Sequence, residues 1–136
     1  MTALRGAPRI EERPEHPMSD DFHAHALERV DALNFDDAVM KSELPVFIDV
    51  STAWCPPCKV AAPLVAALAR RHAGKLKVVE IDGDASPELV ARLGVRGFPT
   101  FLGFFRGNVV DRKLGFAGAR PLEALAEALL CAAREP

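Results

Sequence analysis

Apolar and polar residues follow patterns that divide the chain from residue 27 onward into nine predicted elements. Runs of β-prone residues predict strands, and apolar residues spaced three and four apart predict helices with one buried face. The predicted strands cover 28–33, 46–50, 77–81, 100–105 and 108–114, and the predicted helices cover 35–42, 56–73, 86–94 and 121–133. Strands that alternate with helices require parallel crossovers, while the short link at Arg106-Gly107 predicts an antiparallel hairpin. The sequence therefore predicts an α/β fold, with a central mixed sheet of about five strands and helices on both faces.

The boundaries of the helices rest on capping residues. Asn34 is the predicted N-cap of the first helix, and Ser86, followed by proline, is the predicted N-cap of the third. Gly74 follows the long second helix as a C-terminal glycine. The apolar stripe of this second helix, which is expected to face the core, comprises Val60, Leu64, Val65 and Leu68.

Composition and charge exclude several classes of protein. The 136 residues suffice for one domain with its own core, since 49% of them are apolar and 26% charged. A net charge of −2 without a basic stripe argues against a nucleic-acid partner. The chain has no apolar run of about 18 residues and no apolar stretch of a signal peptide, so we expect no membrane segment and a cytoplasmic location. A monomer is expected at this size and charge.

Residues 1–24 differ from the remainder in composition. They contain Pro8, Pro14 and Pro17 among charged residues, with few apolar side chains that could compensate for ordering the chain. They also carry the whole net charge, since three arginines face five acidic residues. We therefore expect a flexible tail over 1–24 and a domain over 25–136.

The candidate chemistry lies in Cys55 and Cys58, which are separated by two prolines where a predicted strand ends and the long helix begins. Free N–H groups and the helix dipole favour the thiolate form of a cysteine at a helix N-terminus. Cys58, one turn into the helix, is expected close enough to Cys55 for a disulfide. Redox catalysis is favoured over a structural disulfide or half of a zinc site. No metal is expected, because the only other cysteine is Cys131, predicted near the surface, and no paired histidine motif is present.

Asp49 interrupts the apolar run 46–50 with a carboxyl group. An ionised carboxylate is costly to bury, so Asp49 either faces solvent or has a raised pKa. Because all its neighbours in the run are apolar, we favour burial. A buried carboxyl behind the cysteine pair would accept the proton of Cys58 when that thiol must attack, and return it later.

These residues resemble the thioredoxin family from about residue 27 to the end of the chain. The family's tryptophan, Cys-x-Pro-Cys and basic residue fall on Trp54 to Lys59, and its buried acid falls on Asp49. Its cis-proline loop falls on Phe98-Pro99-Thr100, and a family glycine falls on Gly115. Most peptide bonds before proline are trans. The cis bond expected before Pro99 is therefore implied by the resemblance alone.

The resemblance implies the thioredoxin fold and a thiol-disulfide oxidoreductase that reduces protein disulfides. Cys55 would form a mixed disulfide with the target, and Cys58, deprotonated by Asp49, would resolve it. No bound cofactor is expected beyond the redox-active Cys55–Cys58 disulfide. Disulfide-containing proteins and an NADPH-dependent thioredoxin reductase are the expected partners. The expected substrate-binding residues are Trp54, Pro56, Pro57, Gly97, Phe98, Pro99 and Gly115.

The sequence departs from the family pattern at three positions. Pro56 stands where most thioredoxins have glycine, Phe98 where many have isoleucine, and Glu80 where many bacterial members place a lysine near the buried acid. Pro56 stiffens the loop and has no N–H to offer a thiolate. Two alternative functions therefore stay open: a disulfide oxidase or isomerase with the same site, and a non-catalytic, redox-gated protein-binding module.

Overall fold

A computed structural model describes residues 27–134, in which the elements follow one another in the predicted order. The strands of this range are β1 (Glu28–Arg29), β2 (Val46–Ser51), β3 (Lys77–Asp82), β4 (Thr100–Phe105) and β5 (Asn108–Leu114). The helices are α1 (Pro56–Arg71), α2 (Pro87–Arg92) and α3 (Ala119–Arg134), and a π-helical segment spans Asp36–Met40. The flexible tail expected over 1–24 lies outside the described residues and stays a prediction.

The strands form one mixed sheet in the order β1-β3-β2-β4-β5. β3 is parallel to β1 and β2, as a crossover through α1 requires, whereas β4 is antiparallel to both β2 and β5. Arg106 and Gly107 join β4 to β5 and both have positive φ angles, 54° and 81°, which a tight hairpin turn requires. The predicted α/β class, the mixed five-stranded sheet and the hairpin are confirmed.

Two apolar cores lie on opposite faces of the sheet. Successive residues of a strand point to opposite faces, so Val46, Ile48 and Val50 of β2 contact the π-helical segment and α2. Phe47 points the other way and packs against α1 and α3. The helices therefore cover both faces, as predicted. Asp49, two residues after Phe47, points to the same face as Phe47, the one that α1 covers.

The predicted N-terminal elements are wrong in detail. The edge strand over 28–33 is only the two residues of β1. Asn34 does not cap a helix, because its Oδ1 accepts the N–H of Asp31 at 2.7 Å in the turn that follows β1. The π-helical segment begins after Phe35 without a side-chain cap. Ser86 precedes α2 as predicted, but its side chain makes no capping hydrogen bond.

The buried stripe of helix α1 overlaps the predicted one, since Val65 and Leu68 are buried and Leu64 packs against the same core. Its buried residues are Cys58, Ala61, Val65 and Leu68, which recur at three- and four-residue spacing. Val60, predicted to face the core, has 58% of its surface exposed, because a position two residues from Cys58 lies on the far side of the helix. The stripe is set by the cysteine rather than by the bulkiest apolar side chains.

Candidate active site

The two cysteines lie where β2 gives way to α1. Cys55 is the N-cap residue of α1 and has extended backbone angles, while Pro56 and Pro57 occupy the first helical positions. The Cys58 N–H is directed at the Cys55 Sγ at 3.3 Å. The two sulfurs form a disulfide, with the Cα atoms 5.3 Å apart. The structure therefore brings the predicted pair together at the helix N-terminus.

The prolines limit how many helix donors reach the first sulfur. A helix N-terminus normally offers several unpaired N–H groups, but Pro56 and Pro57 have none. The Cys58 N–H is thus the first donor of α1 available to the Cys55 Sγ, and it also lies 3.1 Å from the Cys55 carbonyl oxygen. Stabilisation of a Cys55 thiolate by this helix rests on that one N–H and on the helix dipole.

The loop before β4 lies against the cysteine pair. Because β4 runs antiparallel to β2, with Thr100 opposite Val50, the start of β4 lies at the end of β2 that leads to the cysteines. The Phe98–Pro99 peptide bond is cis, as predicted. The Phe98 carbonyl oxygen lies 3.6 Å from the Cys55 Sγ. The loop therefore places a backbone carbonyl directly beside the Cys55 sulfur.

Hydrogen bonds fix the cis-proline loop on both sides. Thr100 Oγ1 donates to the Gly97 carbonyl at 2.7 Å, which closes the loop on itself. The Gly115 N–H donates to the Pro99 carbonyl at 2.7 Å, which ties the loop to the end of β5. The predicted residues Gly97, Pro99 and Gly115 are thus brought together at one edge of the cysteine pair.

Trp54 is exposed beside the cysteines but is held in place. It has 64% of its surface exposed, and its ring packs edge-on against Phe98 with centroids 6.1 Å apart. Its Nε1–H donates to Asp84 Oδ2 at 2.8 Å. Trp54 is therefore an exposed ring whose orientation is fixed by Phe98 and Asp84.

Asp49 is buried on the sheet face that α1 covers. Cys58 is one of the buried residues of α1. The exposed fraction of Asp49 is 4%, and its Oδ1 has no hydrogen-bond partner. Burial, and secondly the negative charge of Glu80, raise the pKa of Asp49 from an ordinary 3.8 to about 7. The predicted burial is confirmed, and near neutral pH this carboxyl can both accept and donate a proton.

Three residues of the site were not predicted. Gly83 lies behind Phe98, where a Cβ would be 2.5 Å from the phenylalanine ring. Asp84 holds Trp54, and Leu114, 68% exposed, borders Gly97 and extends the apolar surface. Gly83 and Asp84 could have been found from the sequence. They directly follow β3, which is parallel to β2 and therefore ends at the same edge of the sheet as the cysteine segment.

None of the helices within residues 27–134 is both long and apolar enough to cross a bilayer. Nor does that range bring three His, Cys, Asp or Glu side chains together as a metal ion would need.

Comparison with known proteins gives one consistent result. The sequence model described as Thioredoxin matches residues 26–130. The chain is 36% identical to "Thioredoxin" of Synechocystis sp. over 104 residues, which is 76% of this chain and 94% of that protein. It is 41% identical to "Thioredoxin 1" of Chlorobaculum tepidum over 99 residues, 73% of this chain and 95% of that protein. It is 37% identical to "Thioredoxin M-type, chloroplastic" of Pisum sativum over 110 residues, 78% of this chain and 62% of that protein.

Proposed function

Because this chain belongs to the thioredoxin family and is a thiol-disulfide oxidoreductase acting as a protein-disulfide reductase, we propose that Cys55 is its attacking sulfur and Cys58 its resolving sulfur. The observation that carries this assignment is the position of Cys55 at the N-cap of α1, with the Cys58 N–H 3.3 Å from its Sγ. A sulfur in that position is stabilised as the thiolate by the helix.

The reaction consists of two thiol-disulfide exchanges. The Cys55 thiolate attacks one sulfur of the target disulfide, so that a Cys55–target bond forms while the other target sulfur leaves as a thiolate. The Cys58 thiolate then attacks the Cys55 Sγ. The Cys55–Cys58 disulfide forms, the second target sulfur leaves, and two electrons have passed from the protein to the target.

Asp49 is the proposed proton acceptor for the second exchange. The Cys58 thiol must lose its proton before it can attack, and it lies buried in α1, away from bulk water. A carboxyl whose pKa is raised to about 7 by burial and by Glu80 is well matched to this transfer near neutral pH. Its unpartnered Oδ1 supports the same role, since that atom has a free site for a proton.

The proposed substrate-binding surface surrounds the disulfide. Its residues come from the cysteine segment, from the cis-proline loop and from the end of β5: Trp54, Pro56, Pro57, Gly97, Phe98, Pro99 and Gly115. Trp54 and the two prolines are exposed, and the residues of the cis-proline loop leave the Phe98 carbonyl beside the sulfur. An extended segment of a target would place backbone N–H groups against such a carbonyl, so the surface would accept many sequences.

Regeneration requires a second protein, because the cycle leaves the oxidised disulfide. We propose an NADPH-dependent thioredoxin reductase as that electron donor, and a monomer working in the cytoplasm as the active form. A reductase of that class should restore the Cys55 and Cys58 thiols in solution, whereas failure with several such enzymes would point to a different donor.

The assignment of the two sulfurs is tested by three serine variants in an insulin-disulfide reduction assay. Cys55→Ser should abolish turnover, and Cys58→Ser should accumulate a mixed disulfide with the target, detectable by mass. Cys131→Ser is the matched control, because this cysteine is exposed and free, and it should retain wild-type turnover. Full activity of Cys55→Ser would refute the assignment.

A further inference from the structure

A row of three charged side chains crosses the sheet next to the proposed proton acceptor. In the parallel registers, Arg29 of β1 is opposite Glu80 of β3, and Glu80 is opposite Asp49 of β2. Directly opposed residues of neighbouring strands point to the same face. The three side chains therefore form one line, with Glu80 between the cation and the buried acid.

Arg29 and Glu80, the two members of the row nearest the edge strand β1, are bonded to each other. Arg29 donates to Glu80 Oε2 through Nε at 3.2 Å and through the second guanidinium nitrogen at 2.7 Å. Its third nitrogen lies 3.6 Å from Asp82 Oδ2. The guanidinium therefore compensates the negative charge that stands beside Asp49, and it does so at the solvent edge, where 61% of the Arg29 side chain is exposed.

A polar cleft gives solvent access to this ion pair but not to Asp49. The residues that line the cleft are Arg29, Ser51, Thr52, Ala53, Glu80, Ile81 and Asp82. Thr52 is itself buried there, and its Oγ1 has no hydrogen-bond partner. Solvent therefore reaches the Arg29–Glu80 ion pair through this cleft, while Asp49 is not among the residues that line it.

The other elements packed near Asp49 bring few charges to it. Its neighbour in β4 is Phe101, and the buried residues of α3 are all apolar. Among the buried residues of α1 only Cys58 is ionisable. Beyond Phe101 the same row reaches Lys113 of β5, which lies 3.5 Å from the Asp111 carboxylate. Within residues 27–134, Glu80 is thus the charged residue in the strand position directly beside Asp49, with Arg29 as its partner.

We propose that Arg29 is a positioning residue for the reaction: by holding the Glu80 carboxylate, it limits the negative charge facing Asp49 and keeps Asp49 ionised enough to take the proton of Cys58. This inference rests on the proposed role of Asp49. A like charge beside a carboxyl disfavours its ionised form, and a cation that compensates this charge restores it. An unpaired Glu80 would therefore slow release of the reduced target near neutral pH.

The test measures the release step as a function of pH in Arg29→Gln, Glu80→Gln and the double variant. Reduced protein is mixed with a peptide disulfide at concentrations where the observed rate no longer rises, and fluorescence of the single tryptophan follows the reaction. Carbon-13 NMR of the reduced protein follows titration of the Asp49 carboxyl directly.

Two midpoints are compared, that of the pH profile of release and that of the Asp49 titration. Arg29→Gln should move both midpoints up by about half a pH unit and slow release about threefold below the wild-type midpoint. Glu80→Gln should move them down by a similar amount. The double variant should resemble Glu80→Gln, because Arg29 acts through Glu80. Arg29→Lys, which keeps the charge, should restore most of the wild-type profile.

Arg92→Gln is the control, because Arg92 at the end of α2 also forms an ion pair, with Asp36 of the π-helical segment at 3.1 Å. It should leave both midpoints unchanged. Equal midpoints in Arg29→Gln and Arg92→Gln would overturn the inference. Asp49→Asn separates this failure from that of the proposed function: if it keeps the wild-type pH profile of release, Asp49 is not the proton acceptor at all. If it abolishes the profile while Arg29→Gln leaves the profile unmoved, only the inference fails.

Discussion

Replacing Asp49 with asparagine should stabilise the folded protein at neutral and alkaline pH. Asparagine has nearly the same shape as aspartate but never ionises. Asp49 is 4% exposed and its Oδ1 has no partner, so the substitution removes no protein hydrogen bond at that atom. The pH-dependent part of the difference between the two proteins should therefore reflect the charge of the aspartate, while the added amide N–H groups contribute an offset that does not change with pH.

The size of the effect follows from the pKa of Asp49, which burial and Glu80 raise from 3.8 to about 7. A difference of one pH unit between folded and unfolded pKa values corresponds to about 1.4 kcal/mol. The folded state binds the proton more tightly than the unfolded chain. Wild-type stability therefore carries no penalty below about pH 4, falls as the pH rises towards 7, and is lower by about 4 kcal/mol above it.

Urea unfolding of the oxidised protein at a series of pH values measures this difference, since neither Cys55 nor Cys58 titrates in the disulfide. The free energy of unfolding of Asp49→Asn minus that of wild type should grow by about 4 kcal/mol between about pH 4 and about pH 8. A difference that stays constant over this range would refute the reasoning, because a pH-independent effect reflects packing or hydrogen bonding rather than ionisation.

Three further substitutions probe the supports of the site. Gly83→Ala brings a Cβ to 2.5 Å from the Phe98 ring, so we expect a loss of about 1–3 kcal/mol in urea unfolding and slower insulin reduction. Asp84→Ala removes the acceptor of the Trp54 Nε1–H, so time-resolved fluorescence anisotropy should show faster indole motion. It should also raise the KM for a protein disulfide. Pro56→Gly should lose about 1 kcal/mol of stability through the more flexible unfolded chain. Its added N–H should speed alkylation of the first cysteine below neutral pH.

Matched controls distinguish these effects from general damage. A Cβ at Gly74 would meet nothing within 4 Å, although its φ of +85° makes any substitution strained, so Gly74→Ala should lose about 1 kcal/mol with normal turnover. Asp111→Ala removes a surface carboxylate paired with Lys113 at 3.5 Å and should leave indole motion unchanged. Equal turnover in Gly83→Ala and Gly74→Ala would contradict the role given to Gly83.

Much of the fold was predictable because its signals are local. The apolar run of β2, the glycine of the β4–β5 turn and the two prolines that open α1 each act within a few residues. The failures are equally local in origin. Asn34 has the composition of a helix cap, but its side chain bonds to the Asp31 N–H instead, because short polar side chains offer the backbone alternatives to a helix.

The charged neighbours of the site were harder to predict, because they depend on strand order. Arg29 and Asp49 are twenty positions apart in the chain, and the order β1-β3-β2 inserts Glu80 between them. The composition of the strands does not specify that order. Glu80 was expected near Asp49 only through the family resemblance. That Arg29 neutralises the Glu80 charge depends on the register of β1, a strand of only two residues.

The two sulfurs of the site are controlled by separate parts of the protein. The Cys55 Sγ depends on the start of α1, where two prolines leave the Cys58 N–H as the first donor. Deprotonation of Cys58 is assigned to Asp49, whose environment is set by residues from two other strands. Variants at Pro56 should therefore change the first exchange and variants at Glu80 the second, each without the other. A buried carboxyl that is expected to lower stability by about 4 kcal/mol at pH 8, yet forms no hydrogen bond at Oδ1, is better explained by proton transfer than by folding.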